Sequence, residues 1–216
     1  MITRGHQRVK RTGDLVIGLI GVALLAVPFA VIAIAIKLNS KGPTFFRQER
    51  VGKNGRPFRI WKFRTMVEGA VHQGLGYDVV KGDPRITRVG RVLRILGLDE
   101  LPQLFNVLSG EMSLVGPRPT LGYQVKQYDE TQRKRLLARP GITSLAVVSG
   151  RNALTWPERI KLDVWYVDHW SFWVDVKILF KTLWVVLVTR KGIYEDGDSN
   201  EPFERPPVEA QVDGKP

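Results

Sequence analysis

Residues 15–36 read LVIGLIGVALLAVPFAVIAIAI, and the architecture of the whole chain depends on what this run becomes. It is 22 residues long and carries no charge, enough for a helix to cross bilayer hydrocarbon, which takes about 20. Ala33-Ile34-Ala35 resembles a signal-cleavage site, but the apolar run is too long for the core of a secretory signal. Arg4, Arg8, Lys10 and Arg11 precede the run, and Lys37, Lys41, Arg47, Arg50 and Lys53 follow it. Basic residues beside a membrane segment favour the cytoplasmic side, so a straight span satisfies only one flank. Pro28 offers a way out. It has no N–H and crowds the preceding turn, which bends or breaks a helix. The run is therefore expected to be a re-entrant hairpin broken near Pro28, with both flanks on one face. A kinked single-pass anchor is the open alternative.

Outward from the run, charge is uneven. Residues 1–64 carry a net +11, the tail 195–216 carries −5, and the whole chain carries +12. Such a basic protein meets polyanions: nucleic acid, anionic lipid or phosphorylated substrates. The chain has no cysteine and only three histidines, His6, His72 and His169. Disulfides, thiolate metal sites and cysteine nucleophiles are thereby excluded, and any metal would be hard and oxygen-bound, which points to magnesium. There is no Walker loop and no dinucleotide-type glycine fingerprint.

The pattern predicts an α+β, mainly helical chain. A short β-hairpin is expected from Thr44-Phe45-Phe46 and residues 58–63 around the polar turn 52–57, followed by a mobile glycine-rich loop over 67–84. Helices are expected over 86–96, from near Asp99 to Gly110, over 120–138, over 156–169 and over 171–191. The last is amphipathic, with Phe172, Trp173, Phe180 and Trp184 beside Lys177 and Lys181, a mix suited to a helix in the headgroup region. A soluble core helix is the plainer reading. The acidic, proline-containing tail is predicted to be disordered.

Asp99 and Glu100, in Leu98-Asp99-Glu100-Leu101-Pro102, are the candidate chemistry. At a helix N-cap and first turn, backbone N–H groups and the helix dipole favour ionised carboxylates. Such an aspartate serves as nucleophile toward phosphorus or as magnesium ligand, and its neighbour handles a proton. Capping alone explains Asp-Glu at many helix starts. The surroundings tip the balance: Arg94 lies a turn upstream, Arg118 sits in the stiff turn Gly116-Pro117-Arg118-Pro119, and Arg139 and Arg151 flank turns. Guanidinium groups suit bidentate phosphate contacts. Lys62 and Arg64 alternate on a strand-like segment and share a face, toward either bilayer or substrate.

The chain resembles the bacterial sugar transferase family, the small monotopic phosphoglycosyl transferases. The resemblance rests on Lys10-Arg11 with Asp14, Gly42-Pro43 with Phe46-Arg47-Gln48, Lys62-Phe63-Arg64-Thr65-Met66, Asp83-Pro84-Arg85, Leu98 through Leu104, Asn106-Val107-Leu108, Glu111 through Pro119, Arg139-Pro140-Gly141-Ile142-Thr143 and Gly150-Arg151-Asn152. It covers roughly residues 8–192, and the motif from Leu98 to Pro119 is highly specific. It implies transfer of a sugar-1-phosphate from a UDP-sugar to a polyprenol phosphate, usually undecaprenyl phosphate, with release of UMP, as the first membrane step of glycoconjugate assembly. It implies Asp99 as the nucleophile of a covalent phosphosugar intermediate, Glu100 in proton handling, and Mg2+ at Asp99. Lys62, Arg94, Arg118 and Arg151 match the basic residues around diphosphate and nucleotide. The family's membrane helix is a re-entrant hairpin broken at a Ser-Pro pair. Here Val27 stands where Ser is frequent, and Ser144 where Gly is usual. The expected organisation is a basic N-terminus and membrane helix over 1–40, a catalytic domain on the cytoplasmic face of a bacterial inner membrane over 41–194, and the tail over 195–216. The implied partners are UDP-sugar, polyprenol phosphate and membrane lipid rather than nucleic acid, with a homodimer allowed by the Trp-rich helices. A non-enzymatic basic membrane adaptor is the rival; it has no use for Asp99 or Glu100.

Overall fold

The apolar run becomes the middle of one long helix. The computed structural model describes residues 4–73, 76, 79–80, 82–150, 153–185 and 203, and it opens with α1, Arg4–Asn39. Its residues 5–39 are long and apolar enough to cross a membrane. Pro28 lies inside α1 and the helix continues through it, so the expected break is not a gap in helical structure. Proline removes one backbone donor, and a long apolar helix tolerates that loss.

Only one side of α1 is packed. Leu24, Val27 and Leu38 are more than 70% exposed, while Asp14, Gly18 and Ile36 are buried against the rest of the chain. The N-terminal turns are tied down by polar groups. Lys10 pairs with Asp175. Arg11 donates to the carbonyls of Val107 (2.5 Å) and Leu108 (2.9 Å). Asp14 Oδ1 accepts from Ser113 Oγ at 3.1 Å and from the Leu114 N–H at 3.0 Å. At the other end, Ile36 packs with Phe63 and Leu93, and Asn39 Oδ1 accepts from the Val89 N–H at 3.1 Å.

Alternating residues then build an antiparallel hairpin, β1 (Phe45–Val51) and β2 (Pro57–Phe63), in register Phe45 to Phe63 and Phe46 to Lys62. Ile60 and Phe63, on opposite faces of β2, are both buried, in separate clusters. The next stretch, expected to be a mobile loop, holds a 3-10 turn at Ala70–His72 and is organised from its far end by buried Arg85. The Arg85 guanidinium grips Asp83 and donates to the carbonyls of Ala70, Gln73 and Gly76 at 2.8–3.0 Å.

Helix α2, Arg88–Leu96, starts where Thr87 Oγ1 accepts from the Gly90 N–H. It lies so close to the hairpin's end that a Cβ on Gly90 would sit 1.9 Å from the Thr65 carbonyl oxygen. Gly97, at φ +66, ends it, a left-handed conformation that glycine adopts without a steric penalty. A 3-10 turn over Leu98–Glu100 leads to α3, Gln103–Ser109. Fully buried Asn106 joins α3 to β2, accepting from the Trp61 N–H and donating to the Arg59 carbonyl, each at 2.9 Å.

Strand β3, Ser113–Val115, pairs in parallel with β4, Gly141–Thr143. Between them the expected single helix over 120–138 is divided into α4 (Gly122–Lys126), α5 (Glu130–Arg133) and a 3-10 turn (Lys134–Leu137). The physical reason is Asp129, whose side chain caps a new helix by accepting from the Gln132 N–H at 2.7 Å; a capping residue competes with helix continuation. Helices α6 (Leu145–Ser149), α7 (Trp156–Asp168) and α8 (Phe172–Trp184) complete the described chain. The main core gathers Ile60, Val107, Met112, Val115, Tyr166 and Ile178 between hairpin, α3, β3, α7 and α8. Helix α8 leaves Trp173, Phe180 and Trp184 more than 60% exposed. The acidic tail lies outside the described residues except for Phe203, which is buried.

Candidate active site

The hairpin, the loop rooted at Arg85, the turn after α2, the turn after β3 and helix α7 enclose a cavity of about 770 Å3. Its described lining holds seven Arg or Lys side chains against four carboxylates, a positive enclosure suited to an anion. Lys62, Arg94, Asp99, Glu100 and Arg118 all line it. Residues spread over nearly sixty positions are thus brought to one place. Arg151 lies outside the described residues.

Two neighbouring acids receive opposite treatment. Glu100 is clamped by cations: Lys62 Nζ donates to Oε1 at 2.8 Å, and Arg118 donates to Oε1 at 2.6 Å and to Oε2 at 3.1 Å. Burial alone would raise the Glu100 carboxyl, but the Arg118 and Lys62 charges and hydrogen bonds hold it well below the usual carboxylate range. Among the described residues Asp99 has no such clamp. Burial pushes its carboxyl up; Lys62 and Arg94 oppose the rise, and the Glu100 charge adds to it. The geometry yields one firmly ionised acid and, beside it, one of raised basicity. A higher proton affinity goes with stronger nucleophilicity once the group is ionised.

Several expectations are corrected. Asp99 does not cap a helix. Gly97 turns the chain, Asp99 falls in the 3-10 turn, and α3 begins only after Pro102, so the helix dipole does not act on it as expected. Lys62 points to the cavity and Glu100, which answers the question of its face. Arg64 also borders the cavity but is buried and spends Nη2 on the Ser40 carbonyl (2.8 Å) and hydroxyl (3.0 Å). Arg139 does not line the cavity: its Nε donates to the Gly110 carbonyl at 3.0 Å. Arg94 lies within the field of Asp99 and donates Nε to Thr65 Oγ1 at 2.8 Å.

The sequence reading missed one wall. Arg135, Trp156, Arg159 and Asp163 also line the cavity, as does Ser144. A signal was present: Asp163 falls in helical step with Ile160 and Val167, so a charged residue sits on a core-facing stripe. Ser144, the departure from the family's glycine, caps α6 by accepting from the Val147 N–H at 3.1 Å.

The donor set bears on magnesium. Among the described residues no group of three carboxylates or imidazoles converges into an all-protein cage. Asp99 offers hard oxygens on the cavity wall and has no hydrogen-bonded Lys or Arg among the described residues, the kind of single carboxylate through which magnesium binds together with substrate phosphates and water. The residues fit the ion in that mode.

Known proteins match this sequence. The model of the family described as bacterial sugar transferase matches residues 5–189. The sugar transferase EpsL of Bacillus subtilis is 46% identical over 167 residues, 77% of this chain and 80% of that protein. The exopolysaccharide production protein ExoY of Rhizobium meliloti is 37% identical over 195 residues, 84% of this chain and 86% of that protein. The undecaprenyl-phosphate galactose phosphotransferase of Salmonella typhimurium is 40% identical over 205 residues, 88% of this chain but 43% of the longer protein. With a match that spans the anchor, the acidic pair and the cationic cavity together, the chain belongs to the bacterial sugar transferase family.

Proposed function

We propose that the chain transfers a sugar-1-phosphate from a UDP-sugar to undecaprenyl phosphate and releases UMP, through a covalent intermediate on Asp99. The carrying observation is the unclamped, raised Asp99 beside the doubly clamped Glu100 in a cationic cavity. The names of the relatives, a galactose phosphotransferase acting on undecaprenyl phosphate among them, support the same reaction class.

The steps follow from the groups present. Lys62, Arg94 and Arg118 draw in the diphosphate and offset its charge. An Asp99 carboxylate oxygen attacks the phosphorus that bears the sugar. The bond from that phosphorus to the bridging oxygen breaks, and the oxygen leaves with UMP. A phosphate oxygen of the polyprenol phosphate then attacks the same phosphorus and frees the Asp99 carboxylate, leaving a polyprenol diphosphate sugar. Visiting in turn, the two anionic substrates never face each other in the cavity. As the diphosphate engages Lys62 and Arg118, Glu100 loses part of its clamp and its proton affinity rises, which suits it to proton handling. Magnesium, held by Asp99 and the substrate phosphates, would supply further charge neutralisation.

The test is UMP release across a panel of UDP-sugars with undecaprenyl phosphate, together with intact mass after UDP-sugar alone. The expected result is turnover on at least one UDP-sugar and a phosphosugar adduct on a peptide containing Asp99. Turnover without an adduct under rapid quenching would leave direct transfer and overturn the intermediate.

Helix α1 bears on where this happens. Its first turns and its last both bond the same domain, through Lys10, Arg11 and Asp14 at one end and Ile36 and Asn39 at the other, while its apolar outer side is exposed. A helix crossing a bilayer carries one end away from a domain on the other side. We infer that α1 dips into the cytoplasmic leaflet and returns, with α8's exposed Trp173, Phe180 and Trp184 resting in the headgroup region. The chain has no native cysteine, so Arg8→Cys and Lys41→Cys are unique labelling sites. Both should react from the cytoplasmic face; labelling from opposite faces would establish a span instead.

A further inference from the structure

The wall that the sequence reading missed has no part in the steps above. Helix α7 places Trp156, Arg159 and Asp163 on successive turns facing the cavity, and Arg135 reaches in beside them. This wall adjoins the acidic end, because Arg135 Nη2 donates to the Arg118 carbonyl at 2.9 Å.

Its chemistry is unlike that of the Glu100 end. Arg135 and Asp163 form an ion pair with side chains only 3% and 2% exposed, and Arg135 Nη1 donates to Tyr128 Oη at 2.5 Å. Nη1 and Nη2 of the guanidinium are committed to the protein. Each partner keeps one buried atom with no hydrogen bond among the described residues, the donor Arg135 Nε and the acceptor Asp163 Oδ1. Buried acceptors are nearly always satisfied, so an orphan on a cavity residue points to a ligand that brings an O–H or N–H. A carboxylate acceptor repels phosphate. Trp156 adds an aromatic ring to the same wall, with the Arg135 and Arg159 guanidinium carbons about 6 Å from its centroid (6.0 and 5.9 Å). An aromatic face beside a hydrogen-bond acceptor suits an uncharged ring that stacks and donates.

The far side of Trp156 is also occupied. Phe203, from the acidic tail, meets the Trp156 ring edge-on at 5.7 Å and the Tyr128 ring at 5.4 Å, and is 7% exposed. It does not line the cavity. Of the two rings it meets, Trp156 lines the cavity and Tyr128 bonds Arg135, which also lines it.

We propose that the Trp156–Asp163 wall seats the uncharged, donor-bearing ring of the sugar nucleotide, nucleobase or hexose, and that Phe203 is a positioning residue that braces Trp156 from behind. Trp156 stacks on the ring and Asp163 Oδ1 accepts from it. The inference rests on the UDP-sugar reading and adds where, beyond the diphosphate, recognition takes place.

The experiment uses the full chain in lipid nanodiscs and two readouts: calorimetric binding of UMP, and UMP release across the UDP-sugar panel. The variants are Trp156→Ala, Asp163→Asn, Phe203→Ala and Phe203→Tyr. Loss of a stacking partner weakens binding about 5- to 100-fold. If the nucleobase sits here, Trp156→Ala weakens UMP binding by that factor. If the hexose sits here, UMP binding is unchanged, KM for UDP-sugar rises and the ranking of the panel changes. Phe203→Ala raises KM in the same direction by a smaller factor with kcat retained, and Phe203→Tyr restores it. Asp163→Asn leaves buried Arg135 without its counter-charge and is read with a melting curve; if it unfolds, the other variants, which keep the pair, still decide. Unchanged UMP binding, KM and panel ranking in folded Trp156→Ala, with the wild type turning over, overturns this inference alone. A wild type that releases no UMP from any UDP-sugar sinks the functional reading and this inference with it.

Discussion

Two places in the molecule set an acid against a guanidinium, and they are built to opposite ends. At the loop root, Asp83 and Arg85 are 2% and 8% exposed, and the guanidinium makes three hydrogen bonds to the carboxylate and three to backbone carbonyls. Every charge there is matched inside the protein. At the cavity, Glu100 takes two cations, Arg118 is half exposed, and Asp99 beside them forms no ion pair among the described residues. The first arrangement spends its electrostatics on holding a loop in place. The second leaves charge to be matched by a ligand. Proximity of opposite charges is common to both; what differs is how much of each charge the protein has already satisfied.

The strongest challenge to this contrast is Asp99→Asn. If the unmatched acid is the nucleophile, UMP release falls by about four orders of magnitude or more, with little change in UDP-sugar affinity measured at equilibrium. Retained turnover would put the chemistry elsewhere and reduce the difference between the two places to one of burial. Next in size is Arg85→Ala. It strips a buried carboxylate of its counter-charge and leaves three carbonyls without their donor, a loss of about 3–5 kcal/mol in folding stability, read from a denaturant melt. A cost below about 1 kcal/mol would show that the loop root is no more committed than a surface pair.

How much of this was legible beforehand follows from the range of each signal. The apolar run, the hairpin alternation and the apolar period over 86–96 that Gly97 stops are local patterns, and they reappear as α1, β1–β2 and α2, the last beginning at Arg88. The pairing of β3 with β4 joins segments of three residues across an intervening 25 positions, too short to show a period. The place of Asp99 was misread because Gly97 and Pro102 act together: one turns the chain out of α2, the other delays α3, and the acids fall in the gap. Arg139 was expected with the phosphate-binding arginines because it sits beside a turn, but nothing local distinguishes an arginine that meets a ligand from one that meets a carbonyl. Lys62, Arg94, Asp99, Glu100 and Arg118 were expected together on family resemblance, and the cavity collects them. The Trp156–Asp163 wall needed coordinates, because the orphaned oxygen that marks it is a fact of packing.

The smallest effect separates the two adjacent acids by the sign of their pH dependence. Glu100 is held below its unfolded value, which lies near 4.3. Its contribution to stability is complete above that pH and is lost as pH falls through the lowered folded value. Asp99 is the reverse case. Its folded value is raised above the unfolded one, near 3.9, so the folded state binds the proton more tightly, and stability is lost as pH rises from there through the folded value. At neutral pH, Glu100→Gln should therefore destabilise by about 1–3 kcal/mol, the range for hydrogen bonds to charged groups. Asp99→Asn should instead stabilise, within the roughly 0.5–2 kcal/mol typical of single favourable substitutions. Both differences should shrink in acid: that of Asp99→Asn vanishes below the unfolded carboxyl value of about 3.9, and that of Glu100→Gln fades as pH falls below about 4.3 toward its lowered folded value. Paired urea melts of the two variants and wild type from pH 3 to pH 8 measure this directly. Curves of the same sign would mean that Asp99 is as well satisfied as Glu100, and the raised, waiting carboxylate would have to be sought elsewhere in the cavity.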